Sequence, residues 1–111
     1  MQIIYQDFEK LEILVGRIIQ VEDFPQANKP SYKLYIDFGS DIGIKKSSSQ
    51  LTINYTKDDL LNELILAVVN LPPKLIGDFT SEVLVLGIND KKGNVVLVMP
   101  TQDTPLGGKL Y

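Results

Sequence analysis

From Tyr32 to Phe38 the chain alternates without interruption. Tyr32, Leu34, Ile36 and Phe38 share one parity, Lys33, Tyr35 and Asp37 share the other, and Gly39 closes the run. A period of two is that of a β-strand with one face in a core and one face toward solvent or a ligand, and a helix would scatter the same residues around its axis. Similar texture recurs along the chain. Leu11 to Glu22 is rich in β-branched residues and reads as a long strand. Leu11, Ile13 and Val15 share a parity that Ile18 leaves and Val21 restores, so a bulge or sharp coil is expected at Gly16. Ile42 to Ile53 is expected to pair with the alternating strand through a turn at Gly39-Ser40-Asp41. Leu64 to Leu71 is a continuous apolar run stopped by Pro72-Pro73. Val83 to Ile88 and Val95 to Met99 flank the hairpin connection Asn89 to Asn94.

Between these strands, Phe24 to Ser31 contains Pro25, Asn28 and Pro30 and reads as a loop, as does the stretch from Pro72 to Ser81. Tyr5 to Lys10 has the length of one helical turn. Asn54 to Asn62 reads as a helix, with Thr56 as N-cap, Asp58 and Asp59 at the positive end of its dipole, and Leu60 and Leu61 facing inward. The tail ends in apolar Leu110-Tyr111, which points to docking against the body or a partner. Three strands, a short helix, then two or three strands is the element order of an all-β, five-stranded OB-fold Greek-key barrel, whose helix lies between strands three and four. Extra segments precede and follow that barrel. A length of 111 residues, 44% of them hydrophobic, suits one such domain over residues 1–111 with a genuine core.

The chain has no cysteine and no histidine. It therefore lacks a thiolate ligand, the usual general base and the commonest transition-metal ligand. No calcium-loop pattern and no Gly-rich phosphate loop is found. The expectation is a binding protein and not an enzyme, with no catalytic residues, no cofactor and no metal. No apolar run approaches the ~20 residues of a membrane helix, so no membrane insertion is expected. Met1 to Asp7 lacks a basic start followed by an apolar stretch, so no secretory signal is expected, and the expected location is the cytoplasm.

Net charge is −3 and the pI is about 4.8, yet phosphates respond to local potential and not to the total. Lys29, Lys33, Lys45, Lys46 and Lys74 fall in the middle of the chain, and acids such as Asp7, Glu9, Glu12, Asp58 and Asp59 lie elsewhere. A basic face on an acidic body is one reading, and solubilising surface lysines are the other. Lys33 and Tyr35 would set a cation beside a stacking platform on a surface where OB-folds bind nucleic acid. Lys45 and Lys46 are adjacent and point to opposite faces, with Lys46 sharing parity with Ile42 and Ile44 and expected near the barrel rim. Ser48 lies in a run of small hydroxyls able to meet phosphates or a 2′-hydroxyl. Asn28, Lys29 and Lys74 fall on loops, and the sequence does not fix whether they converge. Arg17, the single arginine, is expected to be structural and paired with an acid.

Leu11-Glu12-Ile13-Leu14-Val15-Gly16-Arg17-Ile18 resembles the opening of the tRNA-binding domain family. Phe24 to Leu34 resembles the CsaA branch of that family. Further similar stretches are Gly43 to Ser48, Val69 to Pro73, Ser81 to Gly87 and the ending Pro105 to Tyr111, which together span essentially the whole chain in order. The family's serine-any-glycine-methionine run is here Ser81-Glu82-Val83-Leu84, which keeps the serine and replaces the glycine by a residue that disfavours positive φ. The resemblance implies an OB barrel, tRNA as a partner and a homodimer joined through the added segments. For the CsaA branch it also implies chaperone activity linked to export, with affinity for preproteins and for the secretion motor SecA. Weighed with the resemblance, the residues expected to bind RNA are Lys29, Lys33, Tyr35, Lys45, Lys46, Ser48 and Ser81, and the apolar ends of the chain point to Ile4, Tyr5, Leu110 and Tyr111 as the expected dimer interface. A polypeptide-binding export chaperone without physiological RNA binding is the alternative. An apolar groove rimmed by acids would favour peptide, and a lysine-lined aromatic face would favour RNA.

Overall fold

A computed structural model describes residues 1–111. Its main sheet has five antiparallel strands in the order β3-β2-β1-β4-β7: β1 (Ile13–Asp23), β2 (Tyr32–Asp37), β3 (Ile44–Ser49), β4 (Leu64–Val68) and β7 (Leu84–Val85). The free edge of β3 meets the segment before β7. There the Glu82 amide donates to the Lys46 carbonyl at 2.8 Å and the Ser48 amide donates to Ser81 Oγ at 3.0 Å. The result is a five-stranded, nearly closed barrel of the OB type.

The barrel is filled by Ile18, Leu34, Ile36, Phe38, Leu51, Leu60, Ile65 and Ala67, all essentially without exposure. Leu60 arrives from helix α2 (Lys57–Leu60), a single turn between β3 and β4. Thr56 caps it reciprocally: the Asp59 amide donates to Thr56 Oγ1 and the Thr56 amide donates to Asp59 Oδ2. The helix is shorter than the expected Asn54–Asn62 because Asn62 turns back with φ of 70° and its amide donates to Ile18, so Leu61 is left exposed.

The bulge in β1 lies at Ile19, not at Gly16. Pairing with β2 runs in register through Ile18↔Ile36 and resumes at Gln20↔Tyr35. The extra residue moves the inward parity from Leu14, Gly16 and Ile18 to Val21, which explains the parity break in the sequence. Gly16 serves a different purpose. A Cβ there would stand 2.5 Å from Ile36 Cγ2 and 2.7 Å from the Phe38 ring, so only glycine lets β1 cross those side chains. The other parity of β1 is also buried at this end: Ile13 and Val15 form a second cluster with Leu66 and Val68 under Phe8. Phe8 belongs to helix α1 (Tyr5–Glu9).

The stretch from Pro72 to Ser81 is a hairpin where a loop was expected, formed by β5 (Lys74–Ile76) and β6 (Phe79–Ser81) around Gly77-Asp78. The strand expected over Val83 to Ile88 is divided at Leu86, whose amide donates to Leu66, so that β8 (Gly87–Asn89) leaves the barrel to pair with β9 (Val95–Leu97). The tail docks on the body: the Gly107 amide donates to Val15, Val15 to Gly108, and Leu110 to Ile13.

Candidate nucleic-acid interface

The cross-strand pairs Lys33↔Ser48 and Tyr35↔Lys46 put these four residues on one outer face of β2 and β3. Lys45 stands opposite Ile36 and has the parity of Ser47, which is 1% exposed, so it does not join that face. The inward parity of β3 is carried by Ser47, whose hydroxyl lies 3.1 Å from that of Ser49. Ile44 is exposed on the Lys46 face, so the parity shared by Ile42, Ile44 and Lys46 marks the outer wall and not a core approaching the rim.

Two phenylalanines cover this face. Phe24 from the loop after β1 and Phe79 from the β5–β6 hairpin are both buried and meet edge to face, with ring centres 5.3 Å apart. Lys33 Nζ lies 4.9 Å from the Phe24 centre and 5.3 Å from that of Phe79, and Lys46 Nζ lies 5.4 Å from Phe79. Tyr35 is not an open stacking platform. Its ring sits edge-on to Phe79, and its hydroxyl donates to Glu22 Oε1 at 2.8 Å. That hydrogen bond, with burial and the carboxylate charge, raises the phenol above its ordinary pKa.

Beside this face runs a groove of about 750 Å³. The loop after β1 lines it with Asn28 and Lys29, β3 and its end with Ser48 and Gln50, the hairpin with Lys74 and Leu75, and the closing segment with Ser81 and Glu82. Asn28, Lys29 and Lys74, scattered in sequence, do converge here. Ser81 bonds the hairpin to β3 through the Ser48 amide while lining the groove. Phe24 and Phe79 are the residues that sequence reasoning missed. The signal for Phe79 was Gly77-Asp78, a two-residue hairpin turn between Leu75-Ile76 and Phe79-Thr80.

The cations divide sharply. Lys10, Arg17, Lys57 and Lys109 pair with Asp7, Asp103, Asp23 and Glu12 respectively. Arg17 is structural as expected, and its firmest bond is a 2.7 Å donation to the Asn62 carbonyl. Lys57 is raised above the ordinary lysine value by its hydrogen bond to Asp23. Lys29, Lys33, Lys46 and Lys74 make no ion pair. The nearby acids are engaged otherwise: Glu22 by the Tyr35 hydroxyl, and Glu82 by the Lys46 amide, which donates to Oε1 at 3.0 Å. Ile4 and Tyr5 of the amino-terminal segment and Leu110 and Tyr111 of the tail are all exposed.

The model of the family described as "Putative tRNA binding domain" matches residues 13–109, and the chain belongs to that family. Within it the likeness is to the CsaA branch. The crystal structure of the CsaA chaperone protein from Picrophilus torridus superposes with a TM-score of 0.92 at 53% identity, covering 99% of this chain and 100% of that one. That of chaperone CsaA from Bacillus anthracis superposes at 0.93 with 41% identity over 100% of both. The methionine–tRNA ligase of Thermococcus onnurineus is 35% identical over 106 residues, which are 96% of this chain and 14% of the ligase. The chain thus spans about a seventh of the length of that synthetase. No helix is long and apolar enough to cross a membrane.

Proposed function

We propose that this barrel binds transfer RNA without catalysing a reaction, through the outer face of β2 and β3 and the adjoining groove. The observation that carries the reading is the set of four lysines outside any ion pair, Lys29, Lys33, Lys46 and Lys74, on the outer face of β2 and β3 and in the adjoining groove of an otherwise anionic molecule. Ammonium groups without carboxylate partners attract phosphates, and the hydroxyls and amides of Ser48, Gln50 and Asn28 can bond sugar and phosphate oxygens between them. The rings on this face are covered, so recognition rests on backbone charge and shape and not on stacked bases. Membership of the tRNA-binding family and likeness to the CsaA chaperones support the reading. A cytoplasmic location follows from such a partner.

Four phosphate contacts would make log affinity fall against log salt with a slope of roughly −3 to −4. Reversing Lys29, Lys33, Lys46 and Lys74 to Glu together is expected to lower the affinity for a tRNA transcript roughly a hundredfold or more and to flatten that slope. Gel-shift titrations at several salt concentrations measure both, and unchanged affinity in a folded variant would refute the proposal.

A second reading is favoured by the same groove. Leu71, Leu75 and Leu84 are 41, 69 and 52% exposed along it, an apolar strip suited to extended polypeptide. In that role the protein would act as a chaperone in export, with preproteins and SecA as partners. The groove's rim holds two lysines and one acid, Glu82, a balance that ranks RNA first. We further propose a homodimer that covers Ile4, Tyr5, Leu110 and Tyr111. Light scattering showing a monomer at micromolar concentration would remove it.

A further inference from the structure

We propose that Phe79 is a positioning residue for the RNA-binding face: its ring fixes the ammonium groups of Lys33 and Lys46 in place before an anion arrives. The inference rests on the RNA-binding reading above and assigns a role to a residue that need not touch RNA. Both Nζ atoms lie within 5.4 Å of the centre of this one ring, and Phe24 meets Lys33 from a second side. A lysine on an open surface samples many rotamers and loses that freedom when it binds a phosphate. An aromatic face attracts a cation electrostatically and restricts where it can go. Two ammonium groups drawn to one ring and held in no ion pair stay within reach of an incoming anion.

The ring is itself fixed. Phe79 is 7% exposed, pairs with Ile76 across the hairpin and packs against Phe24 and Tyr35. The hairpin is tied to β3 by the bond from the Ser48 amide to Ser81 Oγ, immediately before the Glu82-to-Lys46 backbone bond that closes the barrel. The same hairpin carries Lys74 into the groove. Docking of one short element therefore sets the groove and orients the two lysines beside it.

The test separates this role from the RNA reading. In NMR spectra of the wild-type chain without RNA, the ε-methylene protons of Lys33 and Lys46 are expected upfield of those of Lys91 and Lys92 through the ring current. Random-coil positions for both would overturn the proposal whatever the RNA result. Phe79→Leu keeps every charge, so its affinity for a tRNA transcript is expected to fall roughly tenfold with the salt slope unchanged, since the loss lies in ordering two side chains and not in phosphate contacts. Phe79→Tyr is expected to restore binding. Wild-type affinity in folded Phe79→Leu would overturn the proposal. Should Phe79→Leu fail to fold, Phe79→Tyr with the wild-type spectra decides: displaced lysine resonances together with wild-type affinity would overturn it equally. Failure of the RNA reading looks different, because the wild-type chain would then bind no tRNA while the lysine shifts stayed upfield.

Discussion

Strand β2 buries Leu34 and Ile36 completely on one side and carries Lys33 and Tyr35 on the other, where Phe24 and Phe79 lie over it. The inner side is governed by volume. Barrel curvature brings β1 so close to Ile36 and Phe38 that no side chain fits at Gly16. The outer side is governed by charge and hydrogen bonding: cations sit on rings, a phenol donates to a carboxylate, and a serine hydroxyl accepts from a backbone amide. Packed interiors tolerate almost no added volume, whereas exchanging a lysine that rests on the rim of a ring alters stability less. One strand thus separates the determinants of folding from those proposed for binding, and substitutions on its two sides should have separable effects.

The largest expected effect tests the inner side. Gly16→Val forces two γ-methyl groups and a Cβ into space already held by Ile36 Cγ2 and the Phe38 ring, and should destabilise the barrel by about 3 kcal/mol or more. Urea titration measures this through a lower midpoint with an unchanged slope. The fraction that remains folded should bind a tRNA transcript as the wild type does. A midpoint within experimental scatter of wild type would show that β1 can move away from β2, and the proposed division between the two sides would lose its basis.

A smaller effect concerns pH. Two carboxylates that the fold stabilises in their charged form lie away from β2, in the first turn of α2 and in the β8–β9 turn. Asp59 is held below the ordinary aspartate value by hydrogen bonds from the Thr56 amide and hydroxyl, and Asp90 by donors from Asn94 and Asn54 and from the turn. A lowered folded-state pKa contributes stability that is present above the unfolded value and is lost as pH falls through the folded one, so acid should weaken the fold only below about pH 4. Asp59→Asn combined with Asp90→Asn should flatten that acid limb by lowering the neutral midpoint toward the acid one, since the stability these carboxylates contribute above their unfolded values is then absent at every pH. At the other extreme, Tyr35 and Lys57 have raised values, so their contributions are complete below the unfolded values and are lost in alkali, above about pH 10. Melting temperatures from pH 2 to 11 should therefore show a plateau between two falls. A fall centred between pH 5 and 8 would point to a group placed differently from any described.

The sequence revealed most where one face of a strand is apolar and the other polar. Tyr32 to Phe38 gave its register directly, and Thr56 with Asp59 marked a helix start. It misled where both faces are apolar. Ile13 and Val15 lie under Phe8 on one side of β1 while Leu14 and Ile18 fill the barrel on the other, so parity alone could not identify the inward set or place the bulge at Ile19. The hairpin of β5 and β6 was hidden because two prolines precede three-residue strands too short to show a period. Missing it meant missing Phe79, and so reading Tyr35 as an open platform when its ring and hydroxyl are both engaged. Convergence of Lys29 with Lys74 depends on contacts between elements distant in sequence, which no local pattern encodes.

The smallest predicted effect is also the most direct test of register. Lys45 and Lys46 are neighbours of equal charge, and only the pleat distinguishes them. Ser47, buried at 1% exposure, fixes the inward parity of β3, so Lys45 lies opposite Ile36 while Lys46 lies opposite Tyr35 and over Phe79. Lys46→Glu should weaken tRNA binding about fivefold or more at 0.15 M salt, where charges beyond roughly 8 Å are largely screened, and Lys45→Glu should change it by less than about twofold. Both substitutions alter net charge equally, so a difference between them cannot come from the overall field. Equal losses would mean that the ligand wraps the edge of β3 and contacts both faces, and the binding surface would then have to extend beyond the wall formed by β2 and the hairpin.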